Sequence, residues 1–231
     1  MTLGPDLVLA CPHCATPVRL FTLADGSPEG AISWTDGYQE APNAPRQPNI
    51  TRCLACGKLH WTVEARELGM MEPQADAEHP EGRFAEAAAT EPSPEGATAP
   101  ESWLRAPQMR PLDEAGYLEA LREGLAQTPD QELELRVYAW WRGNDPHRRC
   151  DQPGRYPTSA EAIENAEKLV ALTQEGDHEL VLFRAEALRQ LGRFEEARTS
   201  LYGLCSDYAV AREKLADLIK AGSRDLDILF T

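Results

Sequence analysis

Cys11 and Cys14, then Cys53 and Cys56, form two Cys-x-x-Cys pairs near the start of a 231-residue chain. A two-residue spacer lets a tight turn aim both sulfurs at one point. A second such turn completes a set of four thiolates around one tetrahedral ion. Four thiolates leave no coordination position open, so the expected cofactor is one Zn2+ in a structural role. Iron could occupy the same sulfurs, but no redox-partner motif accompanies them. A thioredoxin-type pair would stand once, ahead of a helix, whereas here two pairs stand amid strand patterns. His13 and His60 are near enough in sequence to replace a ligand. With four thiolates present, they are expected at the surface or beside the ligands.

Other chemistry is sparse. His147-Arg148-Arg149-Cys150 sets cations beside a thiol, which would lower its pKa, but no base or oxyanion donor accompanies it. The chain has no P-loop, dinucleotide fingerprint or Ser-His-Asp signal, and its acids show no spacing for paired-carboxylate catalysis. No catalytic residue is assigned, and the chain is expected not to be an enzyme.

The cysteine pairs need strands and turns to hold them. Leu59, Trp61 and Val63 alternate with polar residues directly after the second pair, the pattern of a half-buried strand. Val18–Leu23 and Ala31–Trp34 are further candidates, separated by turn signals at Asp25-Gly26-Ser27-Pro28 and Asp36-Gly37. A three-stranded antiparallel sheet is expected, with Ala41–Pro48 as an exposed proline-rich loop.

From Asp113 onward the period becomes helical. Asp113 caps a stripe of Tyr117, Leu121 and Leu125. Thr128-Pro129-Asp130-Gln131 is a capping box opening a helix with Leu133, Val137, Trp140 and Trp141, which Gly143-Asn144-Asp145-Pro146 is expected to stop. Trp140 and Trp141 are expected in the core on one side and on a capping surface on the other. Thr158 and Glu161 form another box ahead of Ile163, Ala166, Leu169 and Val170, and Gly176-Asp177 breaks the chain. Leu180–Leu191, Phe194–Leu204 and Asp207–Ala221 follow, making six helices in antiparallel pairs.

Charge marks the organisation. The net charge is −15, and residues 72–102 hold eight acids against one base. This Pro/Ala/Glu-rich stretch, with a short helix at Arg83–Ala89 as its alternative, is expected to be a disordered linker. The expected domains are therefore 1–71, a β domain, and 103–231, a helical one. Such an acidic chain opposes attraction to phosphate backbones and anionic membranes. It lacks an apolar run of about 20 residues and an export signal, so a soluble, cytoplasmic protein is expected, with its cysteines reduced.

Two resemblances sharpen these expectations. CPHC and CLACG, separated by 38 residues, resemble the knuckles of a zinc ribbon, with Gly57 suited to the positive-φ turn after the second pair and Ala15 standing at that place after the first. Glu179–Leu204 resembles a tetratricopeptide repeat (TPR), carried by Ala185, Leu188, Gly192, Phe194, Ala197 and Leu201. The flanking helices would then act as degenerate repeats or caps. That resemblance implies peptide binding along the first helix of the pair, where Leu182, Glu186 and Arg189 form a stripe separate from Val181, Ala185 and Leu188. A solvated charge pair on an ordinary exposed face would look the same in sequence. The layout is also similar to that of a group of uncharacterised bacterial proteins.

The expected fold is α+β in separate domains, a small antiparallel β zinc ribbon followed by an all-α, TPR-like array of helical hairpins. The expected role is a non-enzymatic, zinc-binding adaptor for an unidentified protein partner. One alternative is nucleic-acid association through the ribbon, although its only bases are Arg19, Arg46, Arg52, Lys58 and Arg66. The other is an enzyme with a pocket framed by Trp34–Tyr38 and the proline-rich loop.

Overall fold

Mostly apolar runs, Leu7–Ala10 and Val18–Leu23, set up the first strands. In the computed structural model, which describes residues 1–72, 99–148, 157–174 and 177–230, β1 (Thr2–Ala10) pairs antiparallel with β2 (Pro17–Asp25) and with β7 (Arg66–Met71). Leu7 stands opposite Leu20 and Leu9 opposite Val18. The register slips between Gly4 and Leu7, where Pro5 cannot donate to a ladder. Leu9, Leu20 and Met109 form one buried cluster, flanked by Leu7, Val18 and Ala65, and Val8 and Phe21 are buried as well. A second ribbon pairs β5 (Ile50–Arg52) with β6 (Leu59–Trp61).

The strand expected through Val63 ends at Trp61. Thr62–Glu64 is a 3-10 turn and Val63 is 88% exposed, whereas His60, expected on the wet face, is buried. The single three-stranded sheet is corrected too. Val18–Leu23 falls in the β2-β1-β7 sheet, Leu59–Trp61 in the β5-β6 ribbon, and Ala31–Trp34 in a third sheet of order β4-β3-β8, made of Gln39–Glu40, Ile32–Trp34 and Ile228–Phe230. Alternation identifies a strand but carries no information on its partner.

The chain divides into two compact units that interleave in sequence. One comprises Met1–Gly30 with Ala41–Leu112, the other Ala31–Glu40 with Asp113–Thr231. The boundaries thus differ from the sequential 1–71 and 103–231. Residues 103–112 stay with the first unit because Arg19 anchors them: its Nε donates to Ala106 O at 2.8 Å, its backbone N–H to Pro107 O at 2.9 Å, and its guanidinium pairs with buried Asp6 at 3.2 Å. Trp103, in the four-residue helix α1 (Glu101–Leu104), packs against Gly69, where an added Cβ would meet its ring at 2.7 Å. The acidic stretch, with its candidate helix Arg83–Ala89, lies almost wholly outside the described residues.

The second unit is built on α2 (Glu114–Arg122), α3 (Pro129–Arg148), α4 (Ala160–Leu172), α5 (His178–Gln190), α6 (Phe194–Ser200) and α7 (Ala209–Lys220), each packing on the next. Asp113 caps α2 by accepting from Gly116 N at 2.8 Å, and Asp177 caps α5 through Glu179 N and Leu180 N. Ser159, not Thr158, caps α4, and Ile163 is 43% exposed rather than inward. Helix α3 runs through the expected stop to Arg148. Pro146 removes one donor, but Arg148 reaches back to Trp141 O at 2.7 Å, and Arg142 and Arg148 both pair with Asp145. Trp140 and Trp141 are both buried, with Trp34, Tyr38, Phe183, Leu188 and Leu215 in the same core.

The molecule therefore combines small antiparallel sheets with a predominantly helical C-terminal part. Among the described residues, no helix is long and apolar enough to cross a membrane.

Candidate metal centre

Each cysteine pair occupies the turn of an antiparallel hairpin. Ala10 pairs with Pro17 across the first knuckle, and Arg52 with Leu59 across the second. The two turns repeat one hydrogen-bonding scheme. Cys11 N donates to Thr16 O at 3.0 Å and Ala15 N to Cys11 O at 2.9 Å. Cys53 N donates to Lys58 O at 3.0 Å and Gly57 N to Cys53 O at 2.8 Å.

That scheme requires a left-handed residue directly after each pair. Gly57 has φ 74°, and Ala15, despite its Cβ, is forced to φ 59°, the one non-glycine residue at positive φ among those described. A methyl-bearing residue pays about 1–2 kcal/mol there. Ala15→Gly is expected to raise the stability of the metal-loaded protein by about 1 kcal/mol, after allowing for the freer unfolded chain. Thermal unfolding checks this, and a fall in the midpoint would contradict it.

The knuckles bring all four Sγ atoms within 4.8 Å of one another. Cys11 Sγ lies 3.9 Å from Cys56 Sγ, and Cys14 Sγ 3.6 Å from Cys53 Sγ. Four sulfurs at about 2.3 Å from a tetrahedral zinc would stand about 3.8 Å apart. The donor set therefore fits such an ion in spacing as well as in chemistry, and all four cysteines are free of disulfides. Backbone N–H groups support the sulfurs: His13 N approaches Cys11 Sγ at 3.5 Å, and Ala55 and Cys56 donate to Cys53.

Cys11 and Cys53 are buried, while Cys14 and Cys56 face outward. The Thr16 hydroxyl, 3.2 Å from Cys14 Sγ, stabilises the thiolate and brings that thiol down to about 6. Burial instead pushes Cys53 up. A divalent cation offsets that penalty by binding the thiolate form.

His13 and His60 flank the knuckles, with their rings 6.0 Å apart edge to face. His13 Nε2 lies 3.3 Å from Leu59 O. His60 is buried, and neither ring nitrogen has a hydrogen-bond partner among the described residues. Burial holds its pKa below the usual histidine value. Because the folded form resists protonation more than the unfolded chain does, stability is present in full above about pH 6.5 and falls as pH drops through that value toward the depressed pKa. His60→Phe is expected to flatten this slope in metal-loaded protein, as measured by denaturant midpoints between pH 5 and 7.5. An unchanged slope would contradict it.

The stripe inferred for a partner does not form one exposed surface. Leu182 is partly buried against the helical core, while Glu186 and Arg189 are wholly buried. Glu186 accepts from Arg189 at 2.8 and 2.6 Å, from Gln190 at 3.1 Å and from Thr35 Oγ1 at 2.9 Å. Arg189 also donates to Ser223 O at 2.6 Å and Asp225 O at 2.8 Å. These two charges are an internal pair, neither a contact surface for an incoming partner nor a solvated pair.

A second buried polar group had only the Asp36-Gly37 turn signal to announce it. Asp36 pairs with Arg148 and accepts from Asn144 Nδ2 at 2.9 Å, while Trp141 Nε1 donates to Asp36 O at 2.9 Å. Trp34 and Tyr38, expected to help frame an enzyme pocket, belong to the helical core. Arg149 and Cys150 lie outside the described residues. No protein-family model, curated protein or solved structure matches the chain.

Proposed function

We propose that this is a non-enzymatic zinc-binding interaction protein, in which one structural Zn2+ held by Cys11, Cys14, Cys53 and Cys56 fixes a zinc-ribbon-like unit and a TPR-like helical unit supports binding to a protein partner. The observation that carries this reading is the sulfur cluster, whose 3.6 and 3.9 Å spacings suit four-thiolate coordination. A saturated tetrahedron stabilises structure and leaves no position for a substrate. Helices packed consecutively, with α5 and α6 turning at Gly192 at φ 82°, support the repeat-like reading.

The net charge of −15 weighs against nucleic acid and anionic membranes as partners. Reduced, metal-suited cysteines favour a reducing compartment such as the cytoplasm. The test is affinity capture with the metal-loaded full-length protein from its native host. A protein retained in stoichiometric amount supports the role. Retention of nucleic acid in a salt-sensitive manner, or of nothing, overturns it.

A further inference from the structure

The four thiols of the cluster are unequally sheltered. Cys11 and Cys53 are buried, whereas Cys14 and Cys56 are exposed. Cys14 also lines an open cleft between the first knuckle and the side chains of Glu64 and Arg66, a cleft that Cys56 does not border. Susceptibility of a cysteine to oxidation follows its thiolate character and its exposure. A bound ion supplies the first by keeping its ligands deprotonated. The fold supplies the second at Cys14.

The exposed thiol also has a resolving partner in place. Cys14 Sγ stands 3.6 Å from the Sγ of buried Cys53, although 39 positions separate the two in sequence. Their knuckles belong to different sheets, one containing β1 and β2 and the other β5 and β6, so a bond between these sulfurs would join the two hairpins.

We infer that Cys14 is an oxidative modification site, at which hydrogen peroxide forms a Cys14–Cys53 disulfide and expels the metal. The inference rests on the zinc reading proposed above. Cys14 Sγ attacks one peroxide oxygen, the O–O bond breaks, and a sulfenic acid forms as hydroxide leaves. The Cys53 thiolate then attacks the Cys14 sulfur and displaces a second hydroxide. Two thiolates have together given two electrons to the peroxide. The ion is left with Cys11 and Cys56, half of the ligand set of a structural site, and is released. A thiol reductant with fresh zinc reverses the change, so the clamp on the first unit holds only while its surroundings stay reducing.

The test uses full-length, zinc-loaded protein carrying Cys150→Ser and Cys205→Ser, which keeps only the four cluster thiols of the six in the chain. Zinc release is followed with a chromophoric chelator as hydrogen peroxide is added, and the disulfide is mapped by tryptic digestion without reduction. Cleavage after Arg19, Arg52 and Lys58 puts Cys11 and Cys14 in one peptide and Cys53 and Cys56 in another, so a bond across the knuckles links two peptides. The expected result is about one zinc released per chain as the first disulfide forms, located by fragmentation at Cys14 and Cys53, with rebinding after reduction and zinc addition. Release without a disulfide, or a first disulfide within either Cys-x-x-Cys pair or between Cys11 and Cys56, overturns the proposal. So does zinc retained under peroxide, which leaves the zinc reading standing. Zinc absent before peroxide is added overturns that reading and the proposal together. Should the double variant fail to fold, the wild-type chain gives the same readout, because Cys150 and Cys205 fall in tryptic peptides of their own.

Discussion

Cys53→Ser is expected to lose the bound metal and unfold the first unit while the second retains its helices. Cys53 is buried at the base of the second knuckle, where serine offers neither a thiolate nor the length to reach the ion. Structural zinc contributes roughly 10–16 kcal/mol in small zinc-binding domains, comparable with or greater than a typical domain's whole stability of about 5–15 kcal/mol. The ribbon that carries the second knuckle is itself short, with three residues in each of β5 and β6. Metal content by mass spectrometry and amide hydrogen exchange along β1, β2, β5 and β6 check the result. Cys205→Ser, which alters a thiol outside the sulfur cluster, should change neither. Full protection of these strands in metal-free Cys53→Ser protein would contradict the expectation.

Glu186→Ala carries the second large effect. It leaves Arg189 wholly buried without its carboxylate and removes the acceptor for Thr35 and Gln190. Removing one member of a buried pair costs about 3–5 kcal/mol. For a unit of this size that lowers the thermal midpoint by about 10–20 °C. An apolar replacement of both partners, Glu186→Leu with Arg189→Met, should cost less than the sum of the single changes, since it leaves no orphaned charge. Calorimetry on the four proteins closes the cycle. A loss under about 1 kcal/mol for Glu186→Ala, the scale of an exposed pair, would contradict the internal role.

The contrast between these two sites shows what was legible in the sequence. Cysteine spacing alone pointed to the sulfur cluster, because the chemistry of four thiolates is local to two turns. The capping residues Asp113 and Asp177 and the glycine turn at Gly192 were equally local, and α2 and α5 lie close to where those signals place them. Pro146 was a local signal as well, yet tertiary bonds from Arg148 hold α3 together past it.

Long-range pairings were out of reach. Nothing near Thr35 or Asp36 announces partners at Glu186, Asn144 and Arg148, and an Arg-Glu pair three positions apart on a helix has the same spacing whether it faces water or the core. Residues 31–40 and 99–112 were misallocated for a related reason. Short segments bearing one or two anchors, such as Trp34 or Met109, show no period from which their destination could be read.

The most direct test of the metal-clamped first unit is zinc K-edge X-ray absorption on full-length protein purified without added metal, with the zinc content measured on the same sample. The expected result is about one zinc per chain with four sulfur neighbours at about 2.3 Å and no nitrogen or oxygen in the coordination shell. A folded protein without metal, or a zinc held by nitrogen or oxygen in place of any of the four sulfurs, would contradict it.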